Sequence, residues 1–301
     1  MAAFSLVPTD HVSAVVLHAA FVRAFSDYLA GPFNLALDQW PGFVMRQRID
    51  LSLGRAAVNA EGNVLAFALV APRPTLGRWR LGTMGAVPEA RGSGAAVALL
   101  QDFVARGRAA GLKAVELEVF AQNERAANLY RRHGFVERHA LHGWQRGVGL
   151  EGQDSQDSQG SQQDAGEAPS PHLVPDPGLA CTQAEALAWL REAEGAVPDL
   201  PLQVSAGVVG VLTVPWTAWR RGSAQLVFSG DSEAGVIVRS LIDRSPAQQD
   251  AQALVQALLA AHPGAKVSVP ALQRGDLGGE AVQRCGFAVE PLNQLIMRLD
   301  L

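Results

Sequence analysis

The chain has 301 residues, a formal net charge of −4 and 48% hydrophobic residues, which is length and apolar content for two domains with a core each. The near-neutral balance and the lack of a dense Lys/Arg run exclude a protein whose main partner is nucleic acid or an anionic membrane. Cys181 and Cys285 stand in unrelated contexts without ligand-like spacing, so buried thiols and no metal site are expected. With neither a leader pattern nor a membrane-length apolar run, so is a soluble cytoplasmic location.

Residues 4–8 predict a strand, and Thr9 or Asp10 is placed to cap a helix whose apolar positions include Val12, Val15, Val16, Ala19, Val22 and Phe25. Gly31-Pro32 breaks the chain, and 35–49 predicts a second helix interrupted at Pro41-Gly42. Glu61-Gly62-Asn63 is a turn between apolar runs at 55–60 and 64–71, the pattern of a hairpin. Residues 78–87 follow as a strand.

The next stretch carries the first chemistry. Arg91-Gly92-Ser93-Gly94-Ala95-Ala96 joins that strand to a helix marked by Val97, Leu99, Leu100, Phe103 and Val104. Backbone N–H groups in a first helical turn have no intrahelical acceptor, and the positive end of the helix dipole lies behind them. Small residues let an oxyanion approach that backbone, so the turn is read as a phosphate cradle with Arg91 at its rim. Gly111 ends the helix, and 114–120 alternates Val115, Leu117 and Val119 against Glu116 and Glu118 as a strand with one polar face. Residues 123–133 are helical, closing at His133-Gly134-Phe135, and weaker strand signals follow at Val136 and 141–144.

Residues 151–171 are polar, repetitive and free of Lys and Arg, a composition that cannot offset ordering entropy, and are read as a flexible acidic linker. Beyond them, 182–194 predicts a helix, 206–214, 224–228 and 236–242 strands, 247–261 a helix, 266–269 a strand, 279–284 a short helix and 292–299 a final strand. The order strand, helix, strand, short helix, Gly-Phe thus occurs twice, with Arg131-Arg132-His133-Gly134-Phe135 matched by Gln283-Arg284-Cys285-Gly286-Phe287. The second occurrence has lost the small residues: Arg244-Ser245-Pro246-Ala247-Gln248-Gln249 stands where the first has the glycine turn, and Val282 stands where the first has Tyr130.

With these residues in hand, the chain resembles the GCN5-related N-acetyltransferase (GNAT) family, in a tandem form with an intact first copy and a degenerate second one. Arg91, Gly94 and Ala96 are similar to the family's pyrophosphate loop. Leu117-Glu118-Val119, Asn123, Asn128-Leu129-Tyr130 and His133-Gly134-Phe135 follow at the family's distances. The resemblance implies an α/β (α+β) fold of two GNAT-like domains, 1–150 and 172–301, each a mixed, mostly antiparallel sheet flanked by helices. It also implies an acetyl-CoA site made by Met84, Gly85, Ala86, Val87, Arg91, Gly92, Ser93, Gly94, Ala95, Ala96, Asn123, Asn128 and Tyr130.

The activity implied is transfer of acetyl from acetyl-CoA to a primary amine, on a small molecule or a peptide, by direct attack in a ternary complex. Tyr130 matches the family's acid for the departing sulfur, against the plainer reading of a core aromatic. Glu118 matches the base of members that act on protein amino termini, an ordered water or a solvent-facing carboxylate being the alternatives. Phe25, Asp27 and Tyr28 border the acceptor region; Asp27 either attracts an ammonium group or caps the helix. Rival readings are a CoA-binding sensor or scaffold without turnover, and a tandem acyltransferase resembling mycothiol synthase. The two copies are expected to pair within a chain that is a monomer or a homodimer.

Overall fold

A computed structural model describes residues 4–147 and 179–301; the expected linker, 151–171, lies outside the described residues. In chain order the elements of the first part are β1 (Ser5–Pro8), α1 (Ala14–Ala24), α2 (Trp40–Arg46), β2 (Asp50–Val58), β3 (Val64–Arg73), β4 (Arg78–Ala86), α3 (Ala95–Ala109), β5 (Ala114–Phe120), α4 (Glu124–Arg132) and β6 (Val136–Arg146). Then come β7 (Ala180–Cys181), α5 (Gln183–Ala196), α6 (Ala206–Val209), β8 (Thr217–Arg221), β9 (Ala224–Asp231), β10 (Gly235–Asp243), α7 (Gln249–Ala261), β11 (Val267–Arg274), α8 (Gly279–Arg284), β12 (Ala288–Val289) and β13 (Gln294–Asp300).

The chain divides into two units, and not at the boundaries read from the sequence. The first unit takes the described residues through Ala140 and also Pro198–Gln203 and Leu292–Leu301; the second takes those of Leu141–Val197 and Val204–Pro291. Two segments from beyond the expected linker therefore complete the first unit, and the boundary falls inside β6.

In the first unit the sheet runs β1-β2-β3-β4-β5-β13. Neighbours are antiparallel except β4 and β5, which run parallel with α3 as their crossover. β3 is buried on both faces, which is why it reads as an unbroken apolar run. Ala66, Ala68 and Val70 face Leu99, Leu100 and Phe103 of α3. Phe67 and Leu69 face Leu17 and Phe21 of α1 and Trp40 and Phe43 of α2. Each of these large side chains contributes about 1.5–3 kcal/mol on burial. Two boundary details differ from expectation. The hydroxyl of Ser13, not Thr9 or Asp10, caps α1 by accepting from the Val16 N–H at 3.3 Å. Pro41 sits in the first turn of α2 and causes no break, because an N–H there has no helical acceptor to lose.

In the second unit β8, β9 and β10 are antiparallel neighbours, and β10 runs parallel to β11 through Val236↔Val267 and Ile237↔Ser268, with α7 between them. The order β8-β9-β10-α7-β11-α8 repeats β2-β3-β4-α3-β5-α4 of the first unit. Residues 206–214 hold a short helix at α6 and no strand, a correction to the sequence reading: a brief apolar run does not by itself distinguish the two.

Candidate active site

β4 and β5 of the first unit pair only from Arg78↔Ala114 to Leu81↔Leu117. Beyond Leu81 the two strands part, while β4 keeps β3 on its other edge as far as Ala66↔Ala86. The parting opens into a cleft of about 930 Å³ that Met84, Gly85 and Ala86 line from β4. Gly85 keeps the packing close there: a Cβ would lie 3.0 Å from the Ala24 Cβ and 3.1 Å from the Phe67 ring, so a larger residue would have to press these neighbours back.

A one-turn 3-10 helix, Pro88–Ala90, leads from β4 into the glycine turn. Gly92 and Gly94 have φ of 84° and 91°, a region open to glycine at little cost, and a Cβ on either would meet nothing within 4 Å. Gly94 is the N-cap of α3 and offers no side chain to its free N–H groups. Gly92, Gly94, Ala96 and Val97 line the cleft. A bare helix N-terminus beneath a glycine turn and beside an unpaired strand edge fits the phosphates and the amide-bearing arm of CoA. Three of the expected cofactor contacts are turned elsewhere. Val87 is buried with its N–H on the Leu65 carbonyl at 2.9 Å, Ala95 packs in the core, and the Ser93 hydroxyl accepts from the Ala95 N–H at 3.3 Å.

α4 forms the facing wall. The Asn123 side chain caps it by accepting from the Ala126 N–H at 3.2 Å, and Asn128 accepts from Arg131 at 2.9 Å. Both asparagines line the cleft, as does Tyr130. Tyr130 is only 7% exposed and packs on Phe135, and burial, with a smaller contribution from Tyr28, pushes its phenol far above the ordinary range. It is therefore a neutral donor at any physiological pH. Arg125 and Arg132 also line the cleft and escaped the sequence reading, although with Asn128 they fall at i, i+3 and i+7 on one helical face. With Arg91 they set three arginines against two lining carboxylates, Asp27 and Glu124, a balance suited to an anionic donor.

Phe25, Asp27 and Tyr28 follow α1 and line the cleft as expected. Tyr28 stands edge-on to Phe25 and Phe120, and burial raises its phenol as well. Asp27 is not free: Arg91 grips it with two hydrogen bonds of 2.6 Å. Glu118 corrects the sequence reading most. Its carboxylate accepts from Arg80 Nε at 2.6 Å, both side chains are nearly inaccessible, and it does not line the cleft. Glu116, on the same strand as Glu118, meets Arg73 and Arg78, and the buried Asp199 carboxylate meets Arg78, Arg138 and Arg298.

The corresponding turn of the second unit is filled from within. Gln248, with φ of 53°, takes the N-cap place on α7, so it and not Ala247 is the counterpart of Gly94. Its amide donates to the Gly275 carbonyl at 3.0 Å and accepts from the Ala281 N–H at 3.2 Å. The carboxylate of Asp243, fully buried, accepts from the N–H groups of Ser245 and Ala251, each at 2.9 Å. Arg244 is held by Glu192 at 2.9 Å and lies over Trp189.

Residues 19–135 match the model of the acetyltransferase (GNAT) family. The stretch so matched carries the glycine turn, the parting strands and Tyr130. The chain is similar in fold to the crystal structure of a GCN5-related N-acetyltransferase from Sphaerobacter thermophilus, at 14% identity and a TM-score of 0.56 over 99% of this chain and 95% of that one. It is likewise similar to one from Anabaena variabilis, at 15% identity and a TM-score of 0.59 over 98% and 72%. A third, from Kribbella flavida, matches at 13% identity and a TM-score of 0.57 over 99% and 71%. No protein of curated function matches the chain in sequence. Among the described residues no helix is long and apolar enough to cross a membrane, and no group of three or more His, Cys, Asp or Glu is placed to hold a metal ion.

Proposed function

We propose that the first unit is an N-acetyltransferase that passes acetyl from acetyl-CoA directly to a primary amine. The observation that carries the reading is the convergence, in one cleft, of the Gly92/Gly94 turn, the unpaired end of β4 and the Tyr130 phenol. The turn and the first N–H groups of α3 hold the donor's pyrophosphate, with Arg91, Arg125 and Arg132 supplying positive charge. Met84, Gly85 and Ala86 offer a strand edge to its amide-bearing arm. When bound, acetyl-CoA supplies a thioester whose carbonyl carbon takes the amine nitrogen as the carbon–sulfur bond breaks.

Tyr130 holds the proton that the departing sulfur requires and regains one from the amine by way of solvent. Asn123 fixes the start of α4 and so the position of Tyr130 seven residues on, while Phe25 and Tyr28 wall the acceptor side. Glu118, tied to Arg80, anchors β5 to β4 and does not serve as the base. The second unit is a degenerate copy: Asp243 and Gln248 occupy, from inside the chain, the place a phosphate takes in an intact turn. Retention of Tyr130 in the cleft favours turnover over a CoA sensor. A screen of polyamines, aminoglycosides, amino acids and peptide amino termini with acetyl-CoA, read as free thiol, tests the reading. Thiol release above the hydrolytic background with at least one amine is expected; none with any amine would contradict it.

A further inference from the structure

The rim of the cleft carries an ion pair that ties the glycine turn to the segment after α1. Arg91 leaves the glycine turn and places both terminal nitrogens on the two oxygens of Asp27, at 2.6 Å each, and a further bond reaches the Ala24 carbonyl at 3.2 Å. Both residues line the cleft, and their side chains are 33% and 58% exposed. We propose that this pair is a latch: Asp27 holds Arg91 until a phosphate of the donor claims the guanidinium, so that the carboxylate is free toward the cleft only when the donor is bound. The inference rests on reading the cleft as an acyl-CoA site.

Three features support the latch. A planar guanidinium binds a carboxylate and a phosphate through the same two parallel hydrogen bonds, so the two anions compete for one set of donors. An ion pair this exposed is weak and is exchanged at small cost, unlike the buried Arg80 and Glu118 pair. The other carboxylate lining the cleft, Glu124, opens α4 on the opposite wall and is not held by Arg91. Asp27 is thus the one lining carboxylate whose partner stands on the phosphate turn. While that partner holds it, its charge is cancelled, and a cationic acceptor finds no counter-ion there; arrival of the donor uncovers one.

Calorimetric titration of CoA into the full chain and into Asp27→Asn reads the competition. Removing the competitor while keeping Arg91 is expected to tighten CoA binding by about two- to fivefold, the range that loss of an exposed pair permits. Carboxylate NMR titration of Asp27 gives a second reading: CoA is expected to raise its pKa toward the ordinary aspartate value in the wild type and to leave it unmoved in Arg91→Gln. Weaker or unchanged CoA binding by Asp27→Asn, together with an Asp27 titration indifferent to CoA, overturns the latch. Absence of CoA binding by the wild type is a separate result and overturns the acyl-CoA reading itself.

Discussion

At the scale of single residues, burial decides which groups can do chemistry. Tyr130 keeps its proton because a phenolate in its enclosed site would lose solvation that nothing nearby replaces. Tyr130→Phe is expected to lower turnover about a hundredfold, the usual weight of a general acid, while calorimetric CoA affinity stays within about twofold. In the wild type, any loss of rate caused by ionisation of Tyr130 falls above pH 10, because its pKa is raised; a pH–rate profile losing activity below that point in a manner absent from Tyr130→Phe would contradict the assignment.

Asp199 shows the opposite use of burial. Desolvation pushes its pKa up, but Arg298, Arg138 and Arg78 outweigh it and hold the carboxyl below its ordinary value. Asp199→Asn leaves those arginines without their shared counter-ion and is expected to cost about 3–5 kcal/mol in denaturant unfolding at pH 7. Since a lowered pKa stabilises above the unfolded value, near 3.8, the gap between the variant and the wild type narrows as pH falls below about 4. A gap independent of pH, or one under about 1 kcal/mol as for an exposed pair, would argue against that role.

At the scale of elements, the turn before α3 and the last strand carry the site. Gly94→Ala forces a residue with a Cβ to φ near 91° and adds a methyl group to the cradle. That conformation costs about 1–2 kcal/mol of stability whether or not the donor is bound. The methyl group, standing between the backbone N–H groups and an approaching phosphate, is what weakens binding, and CoA affinity is expected to fall about tenfold, read by calorimetry. β13 pairs with β5 from Gln294↔Phe120 to Asp300↔Ala114, burying Ile296 and Met297. Asn293 accepts from Gln122 at 2.9 Å beside the start of α4. A fragment ending at residue 150 therefore exposes the edge of β5 and is expected to aggregate or stay unfolded by circular dichroism, and adding a peptide of residues 292–301 is the natural rescue. A stable, CoA-binding 1–150 fragment would show that β13 is dispensable.

The turn was legible in the sequence because its cause is local: two glycines, a strand before and an apolar helical stripe after. Tyr130, Asn123 and Asn128 were legible through the family resemblance, which sets their distances from it. What the sequence concealed is pairing across long separations. Nothing near Glu118 announces Arg80, since alternation places a carboxylate on the polar face without saying which strand lies beside it. Residues 292–299 read correctly as a strand, yet their partner, β5, lies about 180 positions earlier and in the other unit from the one expected. The apolar run at 206–214 was ambiguous in itself, and packing chose the helix.

At the scale of the whole molecule, two units of like element order differ at the turn before the crossover helix and at one position of the short helix that follows. In the first, a bare helix N-terminus opens on a cleft; in the second, Asp243 and Gln248 already satisfy the matching turn, and Val282 stands in the core where the first unit has its phenol. On the proposed function the chain accordingly has one donor site, in the first unit. Calorimetric titration of CoA into the full chain tests this most directly. One site per chain, weakened by Gly94→Ala, is the result predicted; no binding, or two equivalent sites, would contradict it.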